Sequence, residues 1–167
     1  MVWVRSEYAG ELAVLSAWFS ALIPWNITYS TGIAGGNLLF VRFPFFQVRY
    51  NYGVPFGRAL AVADPLSATA FQQGQTIAAA YQAWTGGAAV LAVAVLFAFA
   101  YYRDEERVES WRFDPVRVIG VFLLAAAATF AVATYLLVTR GFPGIPIPLG
   151  IVFLAVFGAV LLRVERT

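Results

Sequence analysis

The stretch Ala83–Tyr102, AWTGGAAVLAVAVLFAFAYY, carries no charged side chain, and Val116–Val138, VRVIGVFLLAAAATFAVATYLLV, carries only Arg117, near its start. At 1.5 Å rise per residue, about twenty helical residues cover the ~30 Å hydrocarbon core of a bilayer. In lipid every backbone amide must be satisfied within the segment, so such runs are expected to be helices that span. Trp84 and the pair Tyr101-Tyr102 would stand about 27 Å apart on one helix, close to the separation of the two aromatic belts of a membrane. Asp114-Pro115 opens the next helix with an N-cap and a residue suited to the first turn.

Working outward, Ile145–Leu162 is a third apolar run, slightly shorter, and it follows the turn Gly141-Phe142-Pro143-Gly144. A fourth, weaker run lies near the start. Tyr8–Trp25 would rise about 26 Å with aromatics at both ends, a thin crossing. A signal peptide competes for that segment, but no small-x-small cleavage site is evident and Pro24-Trp25 stands where one would be needed. The expectation is an all-α integral membrane fold. It is a four-helix transmembrane bundle in one domain, with spans at about 8–25, 83–102, 116–138 and 145–162. Arginine counts favour both termini and a loop of about 103–115 on the cytoplasmic side, and a loop of about 26–76 outside.

The outer loop reads as more than a linker. Folding Leu38–Asn51 about Pro44-Phe45 collects Leu39, Val41, Phe43, Phe46, Val48 and Tyr50 on one face, with Leu38, Phe40, Arg42, Gln47, Arg49 and Asn51 on the other. This alternation predicts a small extracellular β-hairpin, its first face half-buried and its second in solvent. Pro44 has a negative φ, so the connection should be wider than a two-residue turn. Asp64-Pro65 predicts a short helix through Gln73.

Composition narrows the chemistry. The 167 residues are 61% hydrophobic with a net charge of +2, every basic residue is Arg, and Lys, His and Cys are absent. Without Lys there is no Schiff-base site, without His and Cys no imidazole or thiolate ligand for haem, iron–sulfur or zinc. Cofactors are therefore expected to be none, and no basic stripe on a soluble face points to nucleic acid.

The remaining polar groups form small constellations. Arg42, Arg49 and Arg58 on the outer loop are candidates for contact with an anionic headgroup or a partner, against the plainer reading of solubilising charge. Gln72, Gln73, Gln75 and Gln82 bracket the outer mouth of the second span. Glu7 and Glu11 lie one helical turn apart and can share a proton, although hydration or pairing with Arg5 is the commoner fate. Asn26-Ile27-Thr28 has the sequon pattern, but it sits against the membrane surface. The acidic residues Asp104, Glu105, Glu106, Glu109 and Asp114 are interleaved with Arg, as on a solvated helix extension. Small residues recur at helical spacing: Gly87, Ala88 and Ala92, then Ala127 and Ala131, then Ala155 and Ala159. Such stripes permit close helix packing or self-association.

The run Trp3–Ala13, the Pro24-Trp25 step, Val41-Arg42-Phe43, Glu105–Glu109 and the ending Leu161–Thr167 together resemble a family of small, uncharacterised multi-pass membrane proteins of halophilic archaea. The resemblance covers essentially the whole chain. It implies a cell-membrane location and assigns no activity and no catalytic residue. The functional expectation is a non-enzymatic membrane protein, structural or a partner subunit. Its partners would be the bilayer and a membrane protein or a second copy. The alternative is a small permease or channel component for a neutral or apolar solute.

Overall fold

The computed structural model describes residues 8–55 and 57–164. It corrects the expected all-α four-helix transmembrane bundle: among the described residues the fold is mixed α/β, with a five-stranded antiparallel sheet and six helices. The helices are α1 (Ala9–Leu22), α2 (Pro65–Phe71), α3 (Ala78–Arg103), α4 (Glu105–Glu109), α5 (Pro115–Thr139) and α6 (Leu149–Arg163). The strands are β1 (Asn26–Ile33), β2 (Gly36–Arg42), β3 (Gln47–Tyr52), β4 (Leu60–Ala63) and β5 (Ile145–Ile147), in spatial order β4-β3-β2-β1-β5.

Among the described residues, only α3 and α5 are helices long and apolar enough to cross a membrane. Their 26 and 25 residues rise well beyond the ~30 Å of a hydrocarbon core. The segments expected to span at 8–25 and 145–162 are shorter as helices, at 14 and 15 residues. Chain geometry sets both limits. α1 stops where Ile23 turns extended at ψ 131°, ahead of Pro24, as a residue before proline must. At the other end, Ile145-Pro146-Ile147 pairs with Tyr29, Thr28 and Ile27 as an edge strand instead of opening the helix. Pro146 has no amide hydrogen to donate, which suits an edge.

The α3–α5 and α5–α6 seams rest on missing side chains. A Cβ on Gly87 would meet Phe130 Cε1 at 2.6 Å, and one on Gly158 would meet Leu124 Cγ at 2.7 Å and Gly120 O at 2.9 Å. Of the small residues anticipated at the seams, Ala88 and Ala127 are buried, Ala92, Ala155 and Ala159 are half-buried, and Ala131 is exposed. Trp25, just past α1, stacks on Phe130 at 5.2 Å, and Trp84 donates from Nε1 to Pro44 O at 2.9 Å. These two indoles tie the β2–β3 turn and the foot of the sheet to the helix ends.

The hairpin has the expected register, Val41 opposite Val48 and Arg42 opposite Gln47, across a four-residue turn closed by Phe43 N–H to Phe46 O at 2.8 Å. It is not isolated, because β1 and β4 extend it on both sides, giving the strands that a lone pair lacks. The β1–β2 connection is a tight turn in which Ala34 and Gly35 both have positive φ, 49° and 85°, the twist a two-residue hairpin needs. The expected faces are reversed. Asn26, Thr28, Ser30, Phe40 and Arg42 face inward and are buried, whereas Tyr29, Tyr50, Leu60, Val62, Ile145 and Ile147 are exposed. The inner face has to meet α2, the first turn of α3 and Phe142, and its polar groups survive there by bonding to one another.

Candidate functional site

Arg42 closes β2 and is 1% exposed. Its Nη1 donates to Asn26 Oδ1 at 3.0 Å and Thr28 Oγ1 at 2.9 Å, and Nη2 donates to the Tyr81 hydroxyl at 3.4 Å. Thr28 in turn donates to Asn26 Oδ1 at 2.8 Å. The register explains the assembly: Asn26 pairs directly with Arg42 across β1 and β2, and Thr28 is one inward position along. Aromatic rings complete the enclosure. The guanidinium carbon lies 4.5 Å from the Phe142 ring centroid, 4.9 Å from that of Phe40 and 5.9 Å from that of Tyr81.

No carboxylate pairs with Arg42 among the described residues. Burial pushes its pKa below the usual value, against the contact and hydrogen bond with Tyr81. An arginine remains protonated regardless, so three rings and neutral oxygens carry a buried positive charge. Cation–π attraction is strongest where water is excluded. Even so, Arg42 Nε and Asn26 Nδ2 have no partner.

Beside this cluster lies a pocket of about 310 Å³ between the inner sheet face, α2 and the start of α3. Phe40, Tyr81 and Phe142 belong to both, so one side of each ring meets Arg42 and the pocket shares the same wall. Arg49, opposite Phe40 in the β2–β3 register, lines it half-buried, with no ion pair among the described residues. Gln47 and Gln72 also line it, and the side-chain carbonyl of each is buried without a hydrogen-bond partner. Among the described residues, no acidic side chain is in the lining. The nearest in sequence, Asp64, caps α2: its Oδ1 accepts from Leu66 N and Ser67 N, both at 2.9 Å, and its Oδ2 from Ser67 Oγ at 2.6 Å. Those hydrogen bonds, Ser67's foremost, hold the Asp64 carboxyl below the usual carboxylate range. The pocket is therefore cationic and aromatic, with amide groups free to turn either donor or acceptor toward an occupant.

The structure separates the arginines that sequence grouped together. Arg42 is interior, Arg49 is on the pocket wall, and Arg58 is exposed on the loop between β3 and β4. Of the four glutamines, Gln72 alone reaches the pocket, while Gln73, Gln75 and Gln82 are exposed. Asn26 is fully buried under Arg42, which removes the sequon from enzyme access. Glu7 and Arg5, the other members of the Glu11 constellation, lie outside the described residues. In the 103–115 loop, Asp104 caps α4 by accepting from Arg107 N at 3.2 Å, and Arg117 Nε lies 3.6 Å from Asp114 Oδ2. Sequence reasoning missed Tyr81 and Phe142, since nothing in the neighbouring residues of either shows that it will meet Arg42. Phe142 lies next to Arg42 because β5 draws the 140–144 turn onto the sheet, and Tyr81 reaches it from the first turn of α3.

The chain belongs to DUF7549, a family of unknown function, which it matches over residues 2–166. No curated protein matches it.

Proposed function

We propose that this member of an uncharacterised family is a non-enzymatic membrane protein whose sheet forms a binding cap for amphipathic anions. Support for the membrane comes from the side chains that α3 and α5 leave bare. Only 33% of each apolar window is buried, and the exposed side chains of the two helices include Leu96, Phe99, Val121, Val132 and Val138. A core helix of a soluble protein would be covered, and an exposed helix in water would carry polar groups on that face. The resemblance to small membrane proteins of halophilic archaea points the same way.

The binding reading is carried by one observation: an aromatic pocket lined by Arg49 and, among the described residues, by no carboxylate, with the charge of Arg42 immediately behind its wall. The guanidinium would take a phosphate or carboxylate, and Phe40, Phe71 and Phe142 would hold an apolar tail. The test is equilibrium binding of dodecyl phosphate to the protein in a neutral detergent, with dodecanol as control. Saturable binding of the phosphate that falls at least tenfold in Arg49→Gln supports the reading. Equal binding of dodecanol, or no effect of the substitution, refutes it.

A second reading, a partner subunit, has its own support. Val62, Val48, Val41, Ile27 and Ile147 form one row across the outer sheet face, and Leu60, Tyr50, Leu39, Tyr29 and Ile145 form the next. None of these side chains is charged. A second copy of the same face would cover them without burying an unpaired charge, and two such sheets pack about 10 Å apart. Val62→Asp should shift a dimer to monomer in light scattering; a monomer in the unsubstituted protein excludes this reading.

A further inference from the structure

The far end of the helices holds a second cavity, of about 490 Å³, between α1 and the last turn of α3. Its aromatic side is formed by Trp18, Tyr101 and Tyr102, with the Trp18 and Tyr102 rings edge to face at 5.7 Å between centroids. Its polar side is formed by Glu11, in the first turn of α1, and Glu105, in the first turn of α4. We propose that this cavity binds an alkylated ammonium ion, its charge between Glu11 and Glu105 and its alkyl groups against the three rings.

The chemistry of the lining selects that class. Among the described residues no basic side chain lines the cavity and neither Glu11 nor Glu105 has an ion pair. Arg103, the nearest cation in sequence to the rings, lies with its guanidinium carbon 6.0 Å from the Phe99 ring centroid and is not in the lining. The cage has a built side. Tyr101 is 2% exposed and donates its hydroxyl to Glu105 at 3.2 Å and Glu109 at 3.0 Å. Its ring fits because residue 10 has no side chain, since a Cβ there would meet the Tyr101 hydroxyl at 2.7 Å. Aromatic faces attract cations through the ring quadrupole, and several faces around one charge are the arrangement that recognises quaternary ammonium. Val14 and Leu15 add apolar wall, which disfavours a compact hydrated ion such as sodium, because the two carboxylates on one side supply too few oxygen ligands to replace its water shell. The ammonium can come from a free cation or from a lipid headgroup, and both present the same alkylated nitrogen.

The full chain in dodecyl maltoside is tested by equilibrium dialysis with radiolabelled tetraethylammonium, sodium chloride being matched throughout. One saturable site is expected, weakened at least tenfold in both Glu11→Gln and Trp18→Ala. The aromatic replacement Trp18→Phe should keep most of the affinity. Glu11 and Trp18 both reach the surface, and circular dichroism confirms that the variants fold. A competition arm with dodecylphosphocholine assigns the source: displacement at tenfold lower concentration identifies a headgroup, and weaker displacement a free cation. Failure of both probes to bind overturns the proposal, as does binding that neither substitution alters.

Discussion

The two ends of the helices carry aromatic cavities of opposite sign. Among the described residues, at the sheet end Arg49 lines the pocket, Arg42 lies behind its rings, and no carboxylate enters; at the far end Glu11 and Glu105 line the cavity and no basic group does. They differ equally in how the charge is held. Arg42 is sealed among Phe40, Tyr81 and Phe142 and hydrogen-bonded to two strand residues, whereas Glu11 is exposed on a helix. A charge taken out of water is tolerated only with fixed partners, so the buried one becomes part of the fold and the exposed one remains available to a ligand.

The sharpest way to break this contrast is to remove each charge. Arg42→Ala should cost about 3 kcal/mol, since it empties the ring cage and takes the guanidinium donor from Thr28 and Asn26, both fully buried. Glu11→Ala should stay within about 0.5 kcal/mol, as surface changes do. Chemical denaturation of both variants in the same detergent measures the pair. Similar losses would mean that the two ends are held alike.

A smaller effect is expected from Gly10→Val. The new side chain enters the space of the Tyr101 hydroxyl, and overpacking there should cost about 1–2 kcal/mol. It should also displace the ring, so tetraethylammonium binding should fall at least tenfold while dodecyl phosphate binding at the other end is unchanged. Arg49→Gln should do the converse, losing the anion without altering either the melting temperature or the cation.

The smallest effect concerns pH. Asp64 has a folded pKa below its unfolded value, so its contribution is fully present above the unfolded carboxylate range near ~3.9. That contribution is lost as pH falls through the folded value. Asp64→Asn should remove this part of the acid dependence, seen as a flatter melting temperature between about pH 5 and pH 3, because Asn still caps a helix. An unchanged acid profile would mean that the cap does not contribute.

Much of this architecture is readable in one dimension, and the places where it is not share a cause. Hydrophobic length located α3 and α5 to within a few residues, because apolar runs that long admit little else. The β2–β3 register followed from alternation about Pro44. The choice of faces did not: alternation divides residues into two sets but does not say which set meets the protein. The usual assumption sends polar side chains to water, and here Asn26, Thr28, Ser30 and Arg42 went inward. β5 was hidden because Ile145-Pro146-Ile147 is too short to show a period and continues directly into an apolar helix. The pockets were hidden for the same reason, since Phe40 and Phe142, or Trp18 and Tyr102, are far apart along the chain.

By itself the sequence determined where two bilayer-length helices lie, which strands of the hairpin pair, where Asp64 and Asp114 start helices, and that Lys, His and Cys chemistry is absent. All of these are local, set by hydrophobic length, side-chain alternation, capping and composition. Tertiary structure alone decided that the hairpin becomes a five-stranded sheet, that its polar face turns inward, and that Arg42 is enclosed while Arg49 lines a cavity. These outcomes depend on contacts between residues far apart in the chain. The sheet's inward face is chosen by what α2, α3 and the 140–144 turn bring to it, and a buried charge is stable only once those rings and oxygens are assembled around it.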